Sequence, residues 1–174
     1  MLTHLLLMRH AKPSWSDDSL SDHERPLNER GRREADIIAN TLTARGIAPD
    51  TIWASDAVRT QETAMRLIRI IPGPQTIIKV PEFYHASAGH ALDQCAKAEA
   101  PNGRLMLLGH NPGWSELAQI FTNSPINMQT AACLVFERTQ SSAEPWIAPE
   151  NWRLIDKLDA ASLLADISSD MDEA

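Results

Sequence analysis

The stretch Leu2-Thr3-His4-Leu5-Leu6-Leu7-Met8-Arg9-His10 decides the fold. From Leu2 to Met8 it is an apolar run of strand length, the pattern of a parallel strand covered on both faces. It stops abruptly at Arg9-His10, a charged pair at the carboxyl end of the strand. Downstream, a polar loop rich in Ser, Asp and Pro (Lys12–Pro26) leads to Asn28, which predicts a helix cap. The helix follows from about Glu29 to Ala44, with Ala35, Ile38, Ala39 and Leu42 on one apolar stripe and Gly46 closing it.

The same alternation continues. A short strand at Thr51–Ala54 is followed by a helix starting at Ser55 or Asp56, with Arg59, Thr63, Ala64, Leu67 and Ile68 on it, and Pro72-Gly73-Pro74 ends it. A third strand at Thr76–Val80 leads through Pro81-Glu82-Phe83-Tyr84-His85 to a helix from about Gly89 to Ala100. Arg104–Leu108 is the next strand, running into Gly109-His110-Asn111-Pro112 and a helix over Gly113–Thr122 in which Trp114, Leu117, Ala118 and Phe121 keep helical spacing. Two more strands, Ala132–Glu137 and Trp152–Leu158, pair as a hairpin. Four strands each followed by a helix predict an α/β fold: a single-domain, three-layer sandwich with a mostly parallel central sheet and helices on both faces. Residues 1–160 make up that domain, and residues 161–174 are expected as an acidic C-terminal tail, helical at its start and partly disordered towards Asp170–Ala174.

Composition narrows the function. The 174 residues are one domain's length, 43% of them hydrophobic and 22% charged. No apolar run approaches the roughly 18 residues needed to cross a bilayer. Sixteen Lys and Arg against 23 Asp and Glu give a net charge of −7, which excludes a surface built for nucleic acid. Cys95 and Cys133 have neither metal-ligand nor disulfide-framework spacing and read as small buried hydrophobes. The N-terminus lacks the pattern of a signal peptide, so a cytoplasmic location is expected.

In an open parallel sheet, ligands bind beyond the carboxyl ends of the strands. That rule gathers Arg9 and His10 after the first strand, Ser55 to Arg59 after the second and His110 after the fourth on one edge. Adjacent guanidinium groups repel unless an anion lies between them, and a phosphate would accept forked hydrogen bonds from Arg9 and Arg59. The same cations hold a nearby imidazole neutral, the form that attacks phosphorus, so the group points to phosphoryl chemistry rather than binding alone. A metal site is disfavoured because His4, His10, His23, His85, His90 and His110 show no paired ligand spacing. Nucleotide-binding glycine loops are absent as well.

With these residues in view, the chain resembles the histidine phosphatase superfamily, in particular its short, SixA-like phosphohistidine phosphatase branch. The matching pieces are Leu7-Met8-Arg9-His10-Ala11, Arg25-Pro26-Leu27-Asn28-Glu29-Arg30-Gly31, Trp53-Ala54-Ser55-Asp56-Ala57-Val58-Arg59-Thr60-Gln61-Glu62-Thr63-Ala64 and Leu107-Leu108-Gly109-His110-Asn111-Pro112, in the family's order. The resemblance spans residues 2 to about 137 and implies a phosphoglycerate mutase-like fold. It also implies that His10 is the nucleophile that becomes transiently phosphorylated, that Arg9, Arg59 and His110 hold the phosphoryl group, and that no metal or other cofactor is needed. Arg25 is either a further phosphate-side arginine of the branch or a salt-bridge partner of the helix beginning near Glu29. Ser55 joins the substrate-binding group. Ala11 stands where the family commonly has Gly.

Glu82 falls roughly where many relatives carry the acid that protonates a leaving alkoxide. A weak need for such an acid suits phosphohistidine, whose imidazole is protonated before it departs. The short connections from Thr76 to Arg104 and from Asn123 to Ala131 predict an open cleft that admits a side chain of another protein. The expected substrate is therefore a phosphorylated protein, with small phosphate monoesters the alternative and a non-catalytic phosphate-binding module the third reading. Neither nucleic acid nor a membrane is expected as a partner.

Overall fold

The computed structural model describes residues 1–172. Its strands are β1 (Leu2–Arg9), β2 (Thr51–Ala54), β3 (Thr76–Lys79), β4 (Gly103–Gly109), β5 (Cys133–Arg138) and β6 (Trp152–Leu158), and its helices α1 (Glu29–Ala44), α2 (Val58–Ile70), α3 (Ala88–Lys97), α4 (Gly113–Thr122) and α5 (Ala160–Asp172). The strands form one sheet in the order β3-β2-β4-β1-β5-β6. The first four are mutually parallel, β5 runs antiparallel to β1, and β5 and β6 make the expected antiparallel pair.

The unbroken apolar run Leu5–Met8 of β1 has a simple cause. Leu5 and Leu7 face a core shared with α3 and α4, whereas Leu6 and Met8 face a second core shared with α1, α2 and α5. Alternate residues of a strand point to opposite faces, so where helices cover both sides of the strand its successive positions are apolar, as they are from Leu5 to Met8. The two antiparallel strands at one end are the only mixed part of the sheet, and the architecture is the α/β sandwich read from the sequence.

Helix α1 is capped by Asn28, whose side chain accepts the Gly31 amide at 2.8 Å, and the chain turns out of it at Gly46 with φ +67°. Gly31 is required for a second reason. A Cβ there would lie 2.2 Å from the Lys12 carbonyl oxygen, so the first turn of α1 rests directly on the backbone two residues past His10.

Helix α2 starts later than expected, at Val58 with Ala57 as its N-cap. The Ser55 hydroxyl bonds His110 and, of the backbone amides, accepts only that of Ala57, ahead of the helix, while the Asp56 carboxylate bonds His23. Both cysteines are buried. Helix α5 takes up most of the stretch read as an acidic tail, with Ala160 buried and Leu163 packed against the same core as α1, and residues 173–174 of that tail lie outside the described residues. Among the described residues, no helix is long and apolar enough to cross a membrane.

Candidate active site

The carboxyl ends of β1 and β4 lie side by side, Arg9 opposite Gly109 in register, so the residues that follow them are neighbours. The His10 amide donates to the Gly109 carbonyl at 3.1 Å, and the His10 carbonyl accepts the Ala131 amide at 3.0 Å. The next residue is tied to α2: the Ala11 amide donates to the Thr63 hydroxyl, which donates in turn to the Arg59 carbonyl. Arg59 and His10 are thus fixed to one another through the backbone before their side chains meet.

The ring of His10 is 4% exposed, and its Nδ1 lies 2.7 Å from the Ala11 carbonyl. A carbonyl only accepts, so Nδ1 carries the proton and Nε2 keeps its lone pair. Nε2 is 3.3 Å from Nε of Arg59. Burial pushes the His10 imidazole down to about 3, and Arg59 and Arg9 push the same way while the bond to Ala11 opposes them. His10 is therefore a neutral imidazole with an unprotonated nitrogen facing a guanidinium.

His110 follows β4 and sits with its ring centroid 5.0 Å from that of His10. Its Nδ1 is 3.3 Å from Nη2 of Arg59, and its Nε2 is 2.5 Å from the Ser55 hydroxyl and 3.2 Å from that of Thr60. Arg59 only donates, so the His110 proton lies on Nε2 and points back at Ser55. Burial takes this imidazole down to about 2, with His10 and Arg59 adding to the effect. Gly109 is what allows α4 to brace this corner. A Cβ on it would lie 2.4 Å from the Trp114 ring, and that indole is fully buried with Nε1 donating to the Leu107 carbonyl at 3.2 Å.

The two arginines are held differently. Arg59, only 6% exposed, donates through Nη1 to the Asp22 carbonyl at 2.6 Å and through Nη2 to the Asp22 carboxylate at 3.0 Å. Arg9 donates through Nη1 to the Met128 carbonyl at 3.0 Å, whereas its buried Nε has no partner among the described residues. Burial, reinforced by Arg59, lowers the Arg9 pKa from its ordinary value. A half-buried guanidinium with an unused buried donor beside a second guanidinium is the arrangement an anion completes. The side chains surround a cavity of about 230 Å³ lined by Arg9, His10, Asp22, Arg59, His110 and Asn111, with Pro13, Trp15 and His85 at its other walls. A separate cavity of about 240 Å³, walled by Trp53, Ile78, Val80, Phe83, Gln94 and Ala98, has no charged group in its lining.

Four of the expected site residues, Arg9, His10, Arg59 and His110, are thus brought together, and three are not. Ser55 is completely buried behind His110 with its hydroxyl shared between that ring and Thr60, so it faces the His110 ring and not the cavity. Arg25 neither lines the cavity nor pairs with Glu29. It donates to the Asp17 carbonyl at 3.2 Å and lies 4.3 Å from the ring centre of Trp15, which is itself a wall of the cavity. Glu82 is exposed on a short 3-10 turn, Pro81–Phe83, outside the cavity lining, because Phe83 is the member of that turn that packs inward against Trp114.

Other groups entered without a sequence signal. Asp22 reaches Arg59 from the polar loop, and the Tyr84 hydroxyl donates to its carboxylate at 2.6 Å. Burial alone would raise the Asp22 carboxyl, but Tyr84 and Arg59 outweigh it and hold the group below the usual carboxylate range. His85 and Asn111 complete the lining. Among the described residues no three His, Cys, Asp or Glu side chains form a group that could hold a metal ion.

Comparison with known proteins agrees with this geometry. The model of the histidine phosphatase superfamily (branch 1) matches residues 5–102. A chloroplastic protein of Arabidopsis thaliana with no assigned function is 33% identical over 162 residues, which is 86% of this chain and 74% of that one. The crystal structure of an Agrobacterium tumefaciens protein assigned as the phosphohistidine phosphatase SixA superposes with a TM-score of 0.74 at 29% identity, over 90% of this chain and 98% of the other. A protein histidine phosphatase SixA solved with tungstate shares the fold, with a TM-score of 0.73 at 17% identity over 92% and 99% of the two chains.

Proposed function

Because the chain belongs to branch 1 of the histidine phosphatase superfamily, we propose that it is a metal-independent phosphatase that removes phosphate from phosphohistidine on another protein through a phospho-His10 intermediate. The observation that carries this reading is the unprotonated Nε2 of a neutral His10, fixed by Ala11 and set 3.3 Å from Arg59 in the cavity that also contains Arg9 and His110. In the first step the Nε2 lone pair forms a bond to phosphorus as the bond from phosphorus to the substrate imidazole breaks. That imidazole leaves protonated, having taken its proton before departure. In the second step water attacks phospho-His10, the N–P electron pair returns to Nε2, and inorganic phosphate leaves with the water proton shed to solvent. Arg9 and Arg59 stabilise the charge on the equatorial oxygens in both steps, which is where most catalysis of phosphoryl transfer arises.

Two features favour a protein-borne substrate. The cavity is walled on one side by Trp15, whose residue is 63% exposed, so its rim is open to a presented side chain. The acid expected of enzymes that expel alkoxides, Glu82, lies outside it. Small phosphate monoesters are the second reading, favoured by one observation, the presence of His85 in the cavity. A cytoplasmic location belongs to the same proposal.

Incubation with a carrier protein labelled with [32P]phosphohistidine tests the reading. The expected result is release of labelled phosphate and an acid-labile label on the enzyme, both absent from His10→Ala. A labelled His10→Ala protein, or turnover of small phosphometabolites alone, overturns it.

A further inference from the structure

His85 is the one residue of the cavity with a positive φ. At +54° it lies in the left-handed region, uncommon for residues other than Gly although Asn, Asp and His reach it more often than the rest. The turn before it leaves little freedom: the Tyr84 amide donates to the Pro81 carbonyl at 3.0 Å and the Ala86 amide to the Phe83 carbonyl at 3.4 Å. Phe83 is fully buried with its ring 5.2 Å from that of Trp114, the indole beneath Gly109 and His110. The strained residue is therefore anchored to the same corner of the sheet that carries His110. Its ring lies 4.0 Å from that of Tyr84, which in turn is 5.4 Å from that of His110. An unusual backbone conformation held by a well-packed turn at the wall of a site is the kind of outlier that marks function.

The other groups around the cavity cannot deliver a proton to a departing oxygen. Arg9 and Arg59 are guanidiniums and hold their protons. The one proton on His110 is directed at Ser55, and that on His10 at Ala11. Asp22 is kept ionised by Tyr84 and Arg59, and the Tyr84 proton is given to Asp22. Glu82 is outside. What is left is an imidazole with no hydrogen bond of its own among the described residues, in the wall of the cavity.

We propose that His85 is the proton donor to an oxygen leaving group, and that the protein hydrolyses alkyl phosphomonoesters in addition to phosphohistidine. The inference rests on the phospho-His10 chemistry proposed above. In the first step the bond from His10 Nε2 to phosphorus forms, the P–O bond of the ester breaks with its electron pair on oxygen, and a proton of the His85 imidazolium passes to that oxygen, releasing the alcohol and leaving His85 a neutral imidazole. In the second step His85 takes a proton from the attacking water, the O–P bond to phosphate forms, and the His10–phosphorus bond breaks with its pair returning to Nε2. His85 then carries its proton again.

The test compares substrates whose leaving groups differ in their need for a proton: ethyl phosphate, p-nitrophenyl phosphate and the phosphohistidine carrier. Positioned acid catalysis contributes about 10²- to 10⁴-fold. His85→Asn retains a residue that tolerates left-handed backbone but cannot donate an acidic proton, and should lower the ratio of the ethyl to the p-nitrophenyl rate by about 100-fold or more. His85→Gln checks that the effect does not depend on one replacement, and Glu82→Gln should leave the ratio unchanged. A structural role would lower all rates together and leave the ratio where it was, which overturns the proposal, as does a ratio that Glu82→Gln moves instead. A wild-type protein that dephosphorylates the carrier but no phosphoester defeats this inference and leaves the proposed function standing, whereas failure to label His10 from any substrate defeats both.

Discussion

Replacing Glu34 by Gln and by Ala separates the geometry of its carboxylate from its charge. The residue is 1% exposed on α1. Its Oε2 accepts from the Lys12 amide at 3.1 Å and the Thr130 hydroxyl at 3.0 Å, and its Oε1 accepts from Nε of Arg30 at 3.0 Å. Lys12 lies two residues beyond His10, and Thr130 two beyond Met128, whose carbonyl holds Arg9. One carboxylate therefore fastens the two chain segments that flank the candidate nucleophile and its neighbouring arginine.

In Glu34→Gln the amide oxygen takes the place of Oε2 and keeps both bonds, while the NH₂ group faces Arg30, donor against donor. The Arg30 side chain is 52% exposed and turns to water, so the loss resembles that of a surface pair plus the charge assistance of two bonds, about 1 kcal/mol. Glu34→Ala leaves two partly buried donors without an acceptor and a void beside them, about 3 kcal/mol in all. For a chain of 174 residues, where 1 kcal/mol moves Tm by roughly 2–4 °C, the shifts are about 3 °C and about 9 °C. Urea unfolding gives the free energies. Assays well below both transitions should leave kcat of Glu34→Gln within about 3-fold of wild type and that of Glu34→Ala lower by about 10-fold or more, on the scale expected when positioning is lost. Equal destabilisation by Gln and Ala would refute the reasoning, since it would mean that charge and not the pair of accepted bonds holds the segments. So would a Glu34→Ala protein within 1 kcal/mol of wild type.

Two further outcomes follow from the site. His10 and His110 are held at about 3 and about 2, against about 6.5 for an unfolded imidazole, so below about pH 6.5 the unfolded chain binds more protons than the folded one. Their stabilising contribution is complete above that pH and is lost as pH falls. At pH 5 each costs at most about 2 kcal/mol, so urea midpoints should drop between pH 7 and 5, less so in His10→Asn, and equal slopes in the two proteins would contradict the burial of a neutral His10. Ser55→Ala removes the oxygen 2.5 Å from His110 Nε2 and leaves only Thr60 at 3.2 Å. It should cost about 1–2 kcal/mol of stability and about 10-fold in kcat with KM little changed, and a loss of stability with kcat intact would show that Ser55 does not orient His110.

The placement of the candidate site was legible in the sequence where the backbone alone decides it. Arg9, His10 and His110 end two strands that read clearly as strands, and parallel neighbours in a sheet end on the same edge whatever their loops do. Ser55 was placed on that edge correctly but given the wrong contact, because a residue just past a strand can face the ligand or the layer beneath it, and only the position of His110 settles which. Asp22 was invisible for a different reason. The conformation of the polar loop is fixed by pairings distant in sequence: the Pro13–Leu27 bridge, the bond from the Ser14 amide to the Pro26 carbonyl, and the Leu27 amide on Glu62 of α2 at 2.8 Å. Glu34 reads as an ordinary polar residue four positions from Arg30. Its burial depends on Gly31 letting α1 settle on Lys12, a contact no helical periodicity contains.

The same contacts explain how a chain of net charge −7 keeps a cationic cavity. The carboxylates near the cavity are spent on local donors. Glu34 accepts three hydrogen bonds, Asp22 is held by Arg59 and Tyr84, Glu62 by Leu27 and Arg32, and Asp56 by His23. Of these, Asp22 is the one that lines the cavity, and it does so already paired with Arg59, leaving Arg9 with its unused Nε to supply the net positive field. Coulomb energies fall with distance and with the dielectric between the charges, so the surplus of acidic groups on the exterior is screened by water more fully than the half-buried Arg9 guanidinium is. Overall charge therefore describes the surface of this protein, and the sign of the potential at the ends of β1 and β4 is set by which acids the fold has already paired.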